Sequence, residues 1–255
     1  MAFFLYDEVV ESVIPVLVYW IYSGIFVLLG DKLDKYRLHS KAEEDKKNLV
    51  SKSTVIKGVL LQQVVQIIVS TVLLALTKDE IPRPNPPLFI IAVQFFIGII
   101  VLDTWQYFVH RYMHINQYLY KHIHSKHHLL IVPYAYGTLY NHPLEGLIMD
   151  TIGGSLAFLA SGMTPSVAVY FFSFVTIKAI DVHTGIYWPL NIFHFFFPND
   201  AAYHDVHHQL YGTKFNYEQP FFISWDKIMG TYMPYTLEKR KEGGYTVQPI
   251  RASKD

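Results

Sequence analysis

Histidine is the residue that could do chemistry in this chain. Of its thirteen histidines, twelve lie between His110 and His208. HRYMH carries His110 and His114, HSKHH carries His124, His127 and His128, and HDVHH carries His204, His207 and His208. On a helix, residues three or four apart share a face, so each group can aim two imidazoles at one point. The third imidazole of an HxxHH group stands about 100° further round and can reach a second ion or the far side of a shared one. Eight nitrogens exceed what one tetrahedral ion takes, so two metal ions are expected. A lone histidine is ordinarily satisfied by a hydrogen bond, but three such groups beside apolar stretches call for a metal. The chain has no cysteine, which excludes disulfides, iron–sulfur clusters and thiolate chemistry and leaves nitrogen or oxygen to hold the metal.

The elements that carry these groups belong in lipid. Of the 255 residues, 51% are hydrophobic and 16% charged, against roughly 25% charged in a soluble domain. Net charge is zero with histidine neutral, and the aromatics fall in apolar runs, so nucleic acid is not an expected partner. The expected fold is all-α and integral to the membrane, with four to five apolar helices: three spans plus a helical hairpin, and a histidine-lined dimetal site facing the cytosol. Requiring about 20 mainly uncharged residues per crossing gives spans over Val13 to Leu29, Gly58 to Leu76 and Leu88 to Val109. The first follows Asp7, Glu8 and Glu11 with no basic leader or cleavage site, as suits an anchor helix. The basic segment from Asp31 to Lys57 is assigned to the cytosol by the positive-inside rule. The prolines of Ile81 to Pro87 make a lumenal turn. Leu144 to Ile180 is read as a hairpin turning at Gly162, Met163, Thr164 and Pro165. A single crossing would separate the histidine groups by about 30 Å and forbid a shared site. The expected division is residues 1–87 as anchor helices and basic loop, 88–235 as the catalytic region, and 236–255 as a polar tail.

From Leu88 to Thr231 the histidine motifs, together with NYEQPFFISWDKIMGT, resemble the fatty acid hydroxylase superfamily of membrane enzymes. YNHPLEGLIMDTIGG and DVHTGIYWP most resemble its plant-type sphingoid base hydroxylases, which act at C4 of sphinganine. The resemblance implies a monooxygenase of sphingolipid biosynthesis in the endoplasmic reticulum membrane. It implies two irons, molecular oxygen, and electrons from NADH through cytochrome b5. No His-Pro-Gly-Gly haem segment occurs, so cytochrome b5 and its reductase are expected as separate proteins. Carried over by motif, the eight histidines become ligands, and His183 in DVHTG joins them. His142 in NHPLE could be a ligand, a donor to one, or a helix-start residue before Pro143. His39, His122 and His194 are read as non-ligands. Ligating imidazoles commonly donate their other N–H to a carboxylate. Asp103, seven residues before His110 on the same face, is the first choice for that partner. Asp205 and Glu145 also adjoin histidines, and Asp226 resembles a family marker with no role readable from sequence.

Breaking an unactivated C–H bond is beyond any acid, base or nucleophile among the side chains, and no catalytic residue is expected beyond the metal centre. The substrate should be an amphiphile whose tail stays in lipid, with a sphingoid base favoured by the resemblance. A sterol methyl oxidase or lipid desaturase on the same centre is the nearest alternative. A zinc transporter or sensor is the distant one, disfavoured because its spans would carry polar pathway residues.

Overall fold

The computed structural model describes residues 6–77 and 86–250. Most of the expected lumenal turn over Ile81 to Pro87, and the terminal RASKD, lie outside them.

Helix α1, Tyr6–Leu28, opens with Asp7 and Glu8 in its first turn, which suits the positive end of the helix dipole. A 3-10 turn, Gly30–Tyr36, leads to α2, Lys41–Lys47, which starts on a capping box between Ser40 and Glu43. The long helices are α3, Lys52–Thr77, and α4, Leu88–Ile115. Both outrun their apolar cores: α3 adds a polar turn before Gly58, where Ser51 Oγ accepts the Thr54 N–H, and α4 carries His110 and His114 in its last turns. Short α5, Gln117–His122, capped by Asn116, passes into a 3-10 turn, His124–Leu129, that holds the second histidine group.

The hairpin follows. Its first arm is α6, Pro143–Gly146, then a π-helical turn, Leu147–Ile152, then α7, Gly153–Ser161. Gly162, at φ 63°, makes the turn, and Thr164 caps the second arm, α8, Pro165–His183, with Pro165 at its first position. The turn falls at the expected residues. Among the described residues, five helices are long and apolar enough to cross a membrane: residues 7–28, 52–77, 88–115, 143–161 and 165–183. Helix α1 packs along α8 and α3, and α4 along α7, so residues before 87 share a core with those after it. Tyr19, Val59, Tyr140 and Ile180 fill one seam, and Leu102, Phe158 and Phe171 another. Outward faces carry exposed Leu17, Ile21, Leu61, Ile68 and Phe96, as lipid contact requires.

After α8 the chain runs through α9, Phe193–Phe196, whose exposed Phe195 and Phe196 match the expected interfacial segment. Helix α10, Ala201–His208, carries the third histidine group and is capped by Asp200, and α11 spans Ser224–Ile228. The tail expected to be merely polar is a β-hairpin: β1, Tyr235–Lys239, pairs antiparallel with β2, Tyr245–Pro249, placing Leu237 opposite Val247. Its inner face closes a core of Leu38, Ala202, Val206 and Val247 beneath α10. The alternation of YTLEK and YTVQP across Gly243 and Gly244, both at positive φ, is the sequence signal for it.

Candidate metal centre and lipid cavity

Nine histidines converge where α4, the 124–129 turn, the end of α8 and α10 meet. They form two groups: His110, His114, His124, His128 and His207 in one, and His127, His183, His204 and His208 in the other. Within each group the candidate ligand atoms lie within 4.8 Å of one another. Each HxxHH motif is divided. His124 and His128 serve the five-histidine group and His204 and His208 the four-histidine group, while His127 and His207 cross to the opposite group. The i, i+4 pairs therefore turn toward one group, and the residue between them turns toward the other.

Outer hydrogen bonds fix the rings. The Nδ1–H groups of His110 and His207 donate to the carbonyls of Tyr217 and Phe215, each at 2.7 Å. Those of His127, His183 and His208 donate to Tyr140, Tyr134 and Leu130 at 3.0, 3.2 and 2.7 Å. His124 Nδ1 meets the Glu145 carboxylate at 2.7 Å. With the proton on Nδ1, each of these rings presents a bare Nε2 lone pair to its group. His110 Nε2 and His124 Nε2 face each other at 3.1 Å with no proton to share, and the buried Nε2 atoms of His183 and His207 have no partner. Converging lone pairs repel unless a cation lies among them, so the donor set fits a transition metal that accepts imidazole nitrogen, iron included. Burial holds the His207 imidazole down to about 3 and lowers His127. Burial, then neighbouring histidines, holds His124, His128, His204 and His208 well below the ordinary value. All are therefore neutral, as ligands must be.

Of the ten histidines expected as ligands, the structure gathers nine. His142 stands apart at the start of α6, where its Nδ1 accepts the Leu144 N–H at 3.2 Å, the helix-start alternative. Asp103 is also elsewhere. Its carboxylate accepts the Phe221 and Phe222 N–H groups at 3.4 and 2.8 Å, which fastens the NYEQPFF loop to α4. Seven residues is two helical turns, about 10 Å along the axis, so sharing a face with His110 did not bring it within reach. The carboxylate that touches a gathered histidine is Glu145. Asp205 instead accepts from His39, Nε2 to Oδ1 at 2.9 Å, which ties the 3-10 segment region to α10. His122 packs at a tilt against Tyr118 and His194 stacks on Tyr187, away from both groups.

Asp226 now has a role. Its carboxylate accepts from the Tyr217 and Glu218 N–H groups at 3.1 and 2.7 Å, from Thr231 Oγ1 at 2.6 Å, and from the Tyr203 hydroxyl. That knot sets the loop whose Phe215 and Tyr217 carbonyls orient His207 and His110. Gly185, in DVHTG, sits at φ 65° with Pro133 O only 2.5 Å from where a Cβ would stand, so the close turn after His183 admits no side chain.

A cavity of about 210 Å³ runs between the helices and ends at the histidines. His124, His127, His183 and His204 line one end, and Pro165, at the other end of α8, lines the opposite one. Eighteen residues of helix separate His183 from Pro165, about 27 Å at 1.5 Å per residue. Leu73, Leu74, Phe158 and Phe172 form apolar wall between them.

Five apolar helices closing over two all-histidine donor sets define a multi-pass membrane protein built around two histidine clusters that could hold metal. The fatty acid hydroxylase model matches residues 95–231, and the chain belongs to that family. Over its whole length the chain is 60% identical to the Arabidopsis thaliana protein named sphinganine C4-monooxygenase 2, covering 99% of that protein. It is 54% identical, over 96% of both chains, to an Oryza sativa protein named very-long-chain aldehyde decarbonylase GL1-9. The Schizosaccharomyces pombe sphingolipid C4-hydroxylase sur2 is 41% identical over 88% of both. No solved structure matches.

Proposed function

We propose that this protein is a diiron monooxygenase that hydroxylates a sphingoid lipid at C4. The observation that carries the reading is the apolar cavity ending on two histidine groups, taken with full-length similarity to proteins named for that reaction. His110, His114, His124, His128 and His207 would hold one iron, and His127, His183, His204 and His208 the other. Iron with molecular oxygen supplies the oxidant that an unactivated C–H bond requires. The chain's own residues do the rest. The apolar wall takes the hydrocarbon tail and excludes water from the reacting end. The carbonyls of Tyr140, Tyr134 and Leu130 keep the proton on Nδ1 of His127, His183 and His208, so their Nε2 atoms stay free for metal.

Electrons would come from NADH through a separate cytochrome b5 and its reductase. An endoplasmic reticulum location with the centre facing the cytosol accords with the basic segment after α1 and with Arg240, which bonds the carbonyls of Leu38 and Arg37 at the histidine end. The rice relative's name favours a second reading, cleavage of a long-chain aldehyde on the same centre.

Product analysis separates the two. Microsomes containing the chain, given sphinganine, NADH and oxygen, should form phytosphingosine, and those containing His127→Ala should not. Turnover of a long-chain aldehyde or a sterol with no trihydroxy base would reject the sphingoid reading.

A further inference from the structure

Two carboxylates line the cavity beside the histidines, Glu145 and Asp150. Five residues apart on a regular helix, they would point about 140° from each other. The π-helical turn at Leu147–Ile152 takes up an extra residue and brings both to the cavity side, a distortion often found at functional sites. Glu145 is engaged by His124. Asp150 meets only neutral amides: Gln106 Nε2 at 3.2 Å and Asn141 Nδ2 at 3.4 Å, both at the long end of hydrogen bonding.

Those amides are each 7% exposed, and their carbonyl oxygens, Gln106 Oε1 and Asn141 Oδ1, are buried without a partner. The corner therefore offers a carboxylate and two uncommitted acceptor oxygens, and among the described residues no lysine or arginine lines the cavity. Three acceptors about one negative charge complement a primary ammonium, which has three N–H donors and no acceptor. Asp150 is half-buried, and a carboxylate facing a mostly apolar cavity without a cation is costly, so a cationic ligand is the natural occupant.

We propose that Asp150, Asn141 and Gln106 form the site for the ammonium group of a long-chain amino alcohol, and that the protein takes the free base in preference to its N-acylated form. The inference rests on the sphingoid hydroxylase reading above. In such a base the amine sits on C2, two carbons from C4, so the group that binds it must lie beside the reacting C–H. Asp150 shares its cavity end with His124 and His127, while Leu73, Phe158 and Phe172 receive the tail. An N-acyl amide has lost the charge and two of the three donors, and a long-chain aldehyde has neither amine nor charge.

The test uses the full-length protein in microsomes and solubilised in detergent. Competition of sphinganine and N-acetylsphinganine for bound radiolabelled sphinganine is measured without reductant, and kcat/KM for both is measured with it, in wild type and in Asp150→Asn. Wild type should favour the free base, and Asp150→Asn should cut that preference at least about tenfold, the worth of one charged hydrogen bond. Binding should move with turnover. Undiminished preference in Asp150→Asn, or wild-type preference for the N-acetyl compound, would overturn the proposal while leaving C4 hydroxylation standing. If Asp150→Asn does not accumulate, the wild-type preference decides alone. Turnover of neither compound by wild type, with turnover of an aldehyde or sterol, would overturn this proposal together with the function it rests on.

Discussion

The two histidine groups are built from the same motifs but held differently. The five-histidine group draws on α4, the 124–129 turn and α10, and one of its rings is oriented by a carboxylate, Glu145. The four-histidine group draws on that turn, α8 and α10, and its oriented rings donate to backbone carbonyls. Three of its four members line the lipid cavity, against His124 alone from the other group. The oriented rings of the four-histidine group are thus fixed by main chain, which a side-chain change cannot readily shift, while the five-histidine group adds to its main-chain contacts a charged partner that sequence variation could tune.

Loss of a gathered histidine should have the largest effect. His183→Ala on the cavity side or His110→Ala on the far side should abolish product and halve bound iron; full iron with normal turnover in either would break the equivalence of the groups. Glu145→Gln sharpens their difference. It should lower activity or iron affinity by roughly 10–100-fold, the usual effect of losing an outer partner, and unchanged metal affinity would mean that His124 needs no carboxylate. Asp226→Ala, which leaves the buried N–H groups of Tyr217 and Glu218 unpaired, should destabilise the fold by about 2–4 kcal/mol, read as a lower unfolding midpoint. His142→Ala removes only a helix-start contact. It should lower stability by about 0.5–1 kcal/mol and leave activity within about twofold; loss of iron would return His142 to the ligands.

Acid should dismantle both groups. The gathered histidines outside the spans, His124, His127, His128, His204, His207 and His208, have folded-state values lowered from about 6.5, His207 to about 3. The unfolded chain therefore binds protons that the folded chain refuses, and stability present above pH 6.5 is lost as pH falls toward 3. Iron release and inactivation should follow the same window, measured on detergent-solubilised protein; activity and iron retained well below pH 6 would contradict it.

The spacing of HxxHH showed that the third imidazole leaves the face of the i, i+4 pair on an α-helix but left open a second ion or the far side of a shared one, and the 3-10 form of His124–Leu129 was not legible in it. The hairpin at Gly162 to Pro165 was equally legible, since glycine at positive φ and proline at a first helical position are local requirements. Partners across the fold were not. The choice of Glu145 over Asp103 depends on how α6 docks against the histidine turn, and the carbonyls of Phe215, Tyr217 and Leu130 carry no side-chain signature at all. The cavity-facing position of Asp150 depends on a π-helical turn that periodicity read as regular helix cannot reveal. The β-hairpin at 235–249 was legible in its alternation, but a run containing Lys239, Arg240 and Lys241 reads first as a solvated tail.

The most direct test of the central claim is the metal content and spectrum of the purified full-length protein. About two irons per chain are expected, coupled as a pair and reduced to about one in His183→Ala. Tightly bound zinc without iron, and no oxygen uptake with any lipid, would contradict it.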